Sequence, residues 1–426
     1  MRTTGWLTGA AVTTILLTSC GTAGGASPAA VDGAGYRLYA VDMQVQSAPI
    51  SVLDAASGRL ERTLPLGTPS PDWSHLYALA HDKQRTSLRL VESHTGKVVS
   101  QISFDGWFDL PPSNAIGQSG GLSPNGQWLV LQSSAQRNQT SFMLVPTSFT
   151  QRPRRISIEG DFAFDAISND GTRLYLVESL AASQPGHYRV RLYDVETGEL
   201  NPHIVIDKRE IESGSMTGTR IAGLFGADGR WQYSLYINEH KGAFIHALSL
   251  DGPFAWCIDL PSGGTQYEQM MWSLALSPDG GALYAVNPAL GKVARINIAA
   301  DGPSNELSQT SSFTPVGQAL RTPGLFTDAV AKGVQIGSAT VTHDGKMLIA
   351  TVDTGTVAIE LAGLKLAKTL FSDEGVESVV VSDDGAALFE SSWNGPTLRE
   401  VNPSSGAEIK SLHVDSAFML YRAERR

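Results

Sequence analysis

Apolar and polar residues alternate along this chain in short runs, and the runs are joined by one recurring turn. The clearest copies are Ser277-Pro278-Asp279-Gly280 leading to Leu283-Tyr284, and Ser382-Asp383-Asp384-Gly385 leading to Leu388-Phe389. Others are Ser123-Pro124-Asn125-Gly126, Ser168-Asn169-Asp170-Gly171 and Thr342-His343-Asp344-Gly345, each followed by its own Leu. Alternation with a period of two predicts half-buried strands, and Asp-Gly or Asn-Gly supplies the positive φ of a tight hairpin. Weaker copies lie at Asp32-Gly33, Ser70-Pro71-Asp72-Trp73 and Asp228-Gly229. The eight turn residues are spaced by 40, 53, 45, 58, 51, 65 and 40 positions.

A second hairpin follows most of these turns. It reads Asp54 into Gly58, Glu92 into Gly96, Asp194 into Gly198 and Asn402 into Gly406. Each unit is therefore strand, Asp-Gly turn, strand, loop, strand, Ser/Thr-Gly turn, strand. Four antiparallel strands at this spacing predict an all-β fold, a single β-propeller spanning 32–426, with eight blades favoured over seven. The first turn lacks a strand before it, whereas Ala417-Phe418-Met419-Leu420-Tyr421 is an apolar strand with no blade of its own. The C-terminal strand is expected to become the inner strand of blade 1, closing the ring and removing two exposed edges.

The Ser-Pro-Asp-Gly phrase followed by Leu-Tyr resembles bacterial WD40-like and YVTN-type β-propeller repeats, as found in surface lipoproteins and TolB-like proteins. The resemblance covers nearly all of 32–420. It implies the fold strongly and is almost silent on activity, because the motif specifies a turn.

Composition narrows the partners. Charged residues make up 17% of the 426 positions and the net charge is −10, which leaves no cationic surface for the phosphates of a nucleic acid. The N-terminus adds an address. Arg2 precedes an apolar segment, Trp6 to Leu17, too short to span a bilayer but suited to a signal peptide. It ends in Leu17-Thr18-Ser19-Cys20-Gly21, which resembles the bacterial lipobox; that resemblance implies lipidation at Cys20. The expected organisation is a signal peptide over 1–19, then a lipidated cysteine and flexible tether over 20–31, then the propeller. The expected location is extracytoplasmic, on a bacterial membrane, held by lipid alone. Only Cys257 then remains, so no intramolecular disulfide can form, and its strand-like setting suggests a small buried hydrophobe.

Candidate chemistry is sparse. Gly117-Gln118-Ser119-Gly120-Gly121 matches the letters of a nucleophile elbow, but a strand and another turn follow where a helix is needed. The nine histidines form no HxH or HExxH pattern, and the turn carboxylates lack the acidic run of a calcium loop. No cofactor and no metal is expected. Four connections exceed what a tight blade needs, and loops of this kind gather around one mouth of the ring. They carry the candidate binding-face residues Trp107, Phe108, Arg209, Glu212, Tyr267 and Arg321. The favoured reading is a noncatalytic binding or scaffold module for an envelope protein, glycan or small ligand. The alternative is a hydrolase or lactonase-like or quinoprotein-like enzyme, its site in the channel lined by Phe162–Ser168, Met271–Ser277 and Val334–Thr342.

Overall fold

The recurring serine explains how each blade starts. In blade 6 the Ser277 hydroxyl donates to Asp279 Oδ1 at 2.6 Å and accepts the Ala282 N–H at 2.9 Å, while Asp279 Oδ1 also takes the Gly281 N–H at 3.0 Å. The same set recurs at Ser70/Asp72, Ser123/Asn125, Ser168/Asp170, Thr342/Asp344 and Ser382/Asp384. Blade 5 keeps only the carboxylate half, because Gly226 stands where the others have a hydroxyl and Asp228 alone receives the Arg230 N–H. Where a hydroxyl partners the turn aspartate its carboxylate is held below the usual range: Ser70 brings Asp72 to about 2, and the Ser277 hydroxyl lowers Asp279. The second hairpin works alike, with Asp54, Asp194 and Asn402 capping backbone N–H groups three residues on and Gly58, Gly198 and Gly406 at positive φ.

The computed structural model describes residues 35–426 apart from 43–44, 46–47, 112–119, 134–137, 181–185, 208–213, 239–240, 317–336, 353–354, 371–374 and 393–395. Its strands form eight antiparallel sheets, the blades of an eight-bladed propeller. Blade 2 shows the plan: Gly67–Pro69 innermost, then His75–Asp82, Arg85–Glu92 and Val98–Asp105 at the rim. Blade 3 departs from it: among the described residues its innermost position is held by two single bridges, Leu122 to Leu129 and Asp109 to Gln132, inside Trp128–Gln132. Blades 4 and 6 each gain a short fifth segment.

Closure occurs as the sequence suggested. Phe418–Arg425 pairs antiparallel with Tyr36–Asp42 and takes the innermost place of blade 1. It is also tied to blade 8: Leu420 N–H donates to Ser378 Oγ at 2.8 Å, and Asp383 N–H donates to the Ala423 carbonyl at 3.0 Å. The core is a series of apolar seams between neighbouring sheets, such as Tyr36, Leu38, Phe389, Leu398 and Leu420 between blades 1 and 8. The Asp-Gly turns and rim hairpins lie at one face, and the connections between blades at the other, because successive strands alternate in direction.

Candidate functional site

Among the described residues the connection face carries a built aromatic platform. After the rim strand of blade 2 the chain reads Gly106-Trp107-Phe108-Asp109. Thr86 Oγ1 donates to the Gly106 carbonyl at 2.8 Å and accepts the Phe108 N–H at 3.0 Å. Asp109 exchanges both backbone bonds with Gln132 of blade 3. Gly106 has φ +105°, a region closed to most side chains, which lets Phe108 fold back beneath it. Trp107 is thereby left on a rigid frame, 52% exposed, with its indole stacked on the His81 ring at 4.1 Å and 8°. His81 Nε2 lies 2.8 Å from the Phe108 carbonyl and 3.5 Å from Asp109 Oδ1. An exposed Arg85–Asp105 pair completes a polar rim.

The six candidates of the sequence fall in different places. Trp107 is on the surface as expected. Phe108 is not: it is 0% exposed, packed edge-on against Phe104 with the Arg155 guanidinium over its ring, and so acts as the buried footing of Trp107. Tyr267 is half-buried on a single helical turn, Gln266–Gln269, started by Thr265 and Glu268 in a capping box; it leans on Met271, Ala289 and Val352. Three blades separate it from Trp107, so the two do not build one patch. Arg209, Glu212, Arg321 and Cys20 lie outside the described residues, as do Asp32-Gly33 and Ser119.

A clamp legible in the letters went unread. Gly160-Asp161-Phe162 repeats Gly106-Trp107-Phe108, with Thr140 in the place of Thr86: its hydroxyl donates to the Gly160 carbonyl at 2.9 Å and accepts the Phe162 N–H at 3.1 Å. The exposed middle position holds an aspartate in one copy and a tryptophan in the other. The clamp itself needs no aromatic there.

A second group of titratable side chains lies elsewhere, between blades 4 and 5. Asp165, at a bulge of the inner strand Phe162–Ile167, meets Arg220 of the inner strand Thr219–Phe225 at 2.9 Å. Further out, Tyr188 stacks on Tyr236, and Tyr236 meets His246 edge-on. His246 Nδ1 lies 3.7 Å from Cys257 Sγ, and Cys257 N–H donates to Asp207 Oδ2 at 2.7 Å. Cys257 is thus half-buried beside polar groups rather than a plain apolar filler. Burial, with Arg220 nearby, pushes the His246 imidazole down to about 4, and burial pushes the Asp165 carboxyl up against the pull of Arg220. Asp165 is 2% and His246 1% exposed, so the seam is closed to a substrate in this conformation. Among the described residues no three His, Cys, Asp or Glu side chains are placed to share a metal ion.

The inner strands also border an open-sided cavity of about 300 Å³ where the ring closes, lined by apolar and polar groups alike, including Val380, Val381, Arg422 and Asp383.

No family model and no curated relative matches this chain. Among solved structures, apo AztD from Citrobacter koseri is similar over 92% of this chain and 97% of its own, at 9% identity and a TM-score of 0.55. The Pseudomonas aeruginosa periplasmic gluconolactonase PpgL is similar over 91% of this chain and 98% of its own, at 14% identity and a TM-score of 0.44. The dihydro-heme d1 dehydrogenase NirN, in complex with DHE, is similar over 92% of this chain and 76% of its own, at 14% identity and a TM-score of 0.48. This chain is a β-propeller. At such identities the likeness is one of fold, and activity has to be argued from the site.

Proposed function

We propose that this protein is a noncatalytic, lipid-anchored propeller of the bacterial envelope, related to the YVTN-type and TolB-like repeat proteins, that binds its ligand on the connection face. The observation that carries the reading is the Trp107–His81 stack: an indole half exposed on a frame pinned by Thr86 and Gln132. A rigid exposed aromatic loses little entropy on binding, and tryptophan is enriched among residues that dominate interface energy. The rim of Asp109, Arg85 and Asp105 adds polar partners around a flat apolar centre, the usual anatomy of a recognition patch. The anchor and the extracytoplasmic address rest on Cys20 and the apolar segment before it. No helix among the described residues is long and apolar enough to cross a membrane.

The test is a pull-down from intact envelope with the fragment 21–426, read by mass spectrometry beside the double variant Trp107→Ala/Arg209→Ala. A partner captured by the parent and lost by the variant supports the reading. Equal capture by both baits refutes the chosen face. The second reading, an enzyme with its site in the central channel, predicts a substrate turnover that Trp107→Ala leaves intact.

A further inference from the structure

The cavity at the ring closure has a chemistry of its own. It is bounded by the inner strands of blades 7 and 8 and by the closing strand of blade 1, so three blades contribute to it. Its aliphatic lining is Val380 and Val381, both partly exposed, while Ala339, Val379 and Leu420 border it from the seams they fill and are at most 7% exposed. Its polar lining includes Arg422, Asp383 and Thr340, from three blades. Arg422 Nη2 stands 3.5 Å from Asp383 Oδ2 and 3.7 Å from Glu424 Oε1, both beyond the 2.7–2.9 Å of a good charge-assisted bond. Its Nε is buried and has no partner among the described residues. Glu424 is already engaged, accepting the Tyr39 hydroxyl at 2.8 Å, and Asp383 Oδ1 accepts the Arg425 N–H at 3.0 Å. Arg422 and Asp383 thus border the cavity as a loosely matched pair, the guanidinium also lying over the Trp73 ring at 5.9 Å, and the buried Arg422 Nε is left unpaired among the described residues.

We propose that this cavity binds a small zwitterion with an aliphatic body, the chemistry of a free branched-chain α-amino acid. A lone carboxylate would be drawn to Arg422 but repelled by Asp383, and a lone amine the reverse. A molecule carrying both groups on one carbon satisfies both and leaves no uncompensated charge. The aliphatic wall takes the side chain, and about 300 Å³ stands at the lower end of small-ligand pockets. Because the ligand would touch blades 7, 8 and 1 together, binding also holds the ring shut and raises the melting temperature by mass action.

The site is independent of Trp107, so either can fail alone. The test is calorimetric titration of the purified protein with L-leucine, with 4-methylpentanoate, which lacks the ammonium group, and with isoamylamine, which lacks the carboxylate. Leucine is expected to bind at least about tenfold more tightly than either analogue, a difference of about 1.4 kcal/mol. Thr340→Phe, which fills the cavity from blade 7, abolishes binding of all three. Arg422→Gln brings leucine to the level of isoamylamine, and Asp383→Asn brings it to the level of 4-methylpentanoate. Should Arg422→Gln fail to fold, Asp383→Asn and Thr340→Phe decide the matter from blades 8 and 7. The proposal is overturned if leucine shows no binding, binds no better than its analogues, or binds Thr340→Phe as well as the parent.

Discussion

Glu390 gives the sharpest test of how dry the seam between blades 7 and 8 is. It sits on the second strand of blade 8, Leu388–Ser392, 0% exposed; the Thr356 hydroxyl is near enough to favour the ionised form slightly, but neither carboxyl oxygen makes a well-formed hydrogen bond among the described residues. Burial pushes its carboxyl up to about 7 from an ordinary 4.5. In the folded protein the group keeps its proton until about pH 7, whereas the unfolded chain releases it near 4.5. Between those values the folded state binds more protons, so stability falls as pH rises. The contribution is fully present below about pH 4.5 and gone above about 7. A gap of about 2.5 units at 1.36 kcal/mol each makes it about 3 kcal/mol. Glu390→Gln removes the titration while keeping the shape. Urea unfolding followed by tryptophan fluorescence at pH 4.5 and 8.5 should show the variant gaining about 3 kcal/mol on the parent between the two pH values, whatever the amide costs in packing. Equal differences at both pH values would mean that water reaches Glu390 and would refute the argument. The parent alone cannot serve, because His246 works in the opposite direction. Its imidazole, pushed down to about 4 from 6.5, contributes stability above pH 6.5 that is lost as pH falls towards 4.

Further outcomes follow from the same geometry. His246→Gln should remove a positive pH slope of about 3 kcal/mol between pH 4 and 6.5, again read by urea unfolding. Ser277→Ala deletes a hydroxyl that both donates and accepts in the blade 6 turn and should cost about 1–2 kcal/mol, seen as a lower urea midpoint. Leu420→Ala, in the closing strand and 1% exposed, should cost about 2–5 kcal/mol in the same assay. A loss below 1 kcal/mol would mean that the ring does not depend on that strand.

What the sequence revealed and what it hid divide by range. The Ser-x-Asp-Gly turn is local, its bonds spanning two to five residues, so Ser277 and Asp279 announce a blade by themselves. Ring closure was legible for a related reason: Phe418–Tyr421 is apolar and has no neighbour in sequence to pair with, and pairing with Tyr36–Asp42 is the remaining way to satisfy it. Phe108 misled because an aromatic in a long connection reads as exposed, and nothing in the adjacent letters shows that Gly106 turns it inward. The Asp165–Arg220 pair and the Arg422–Asp383 cavity were invisible, since their partners come from different blades. In blade 3 the described residues leave only single bridges, at Leu122 and Asp109, in the innermost place although the turn Ser123 to Gly126 is fully formed; the turn motif reports the hairpin and not the length of the strand before it.

The central claim is that the connection face binds through Trp107, and equilibrium binding tests it most directly. Parent and Trp107→Ala would be titrated against solubilised envelope fraction on a biosensor surface, with thermal melts recorded on the same samples. Loss of a central tryptophan is expected to weaken binding by about 30-fold or more, equivalent to about 2 kcal/mol. The melt should barely move, because the Gly106–Phe108 clamp does not use the indole. Unchanged affinity with an unchanged melt would contradict the account and return the search to the channel.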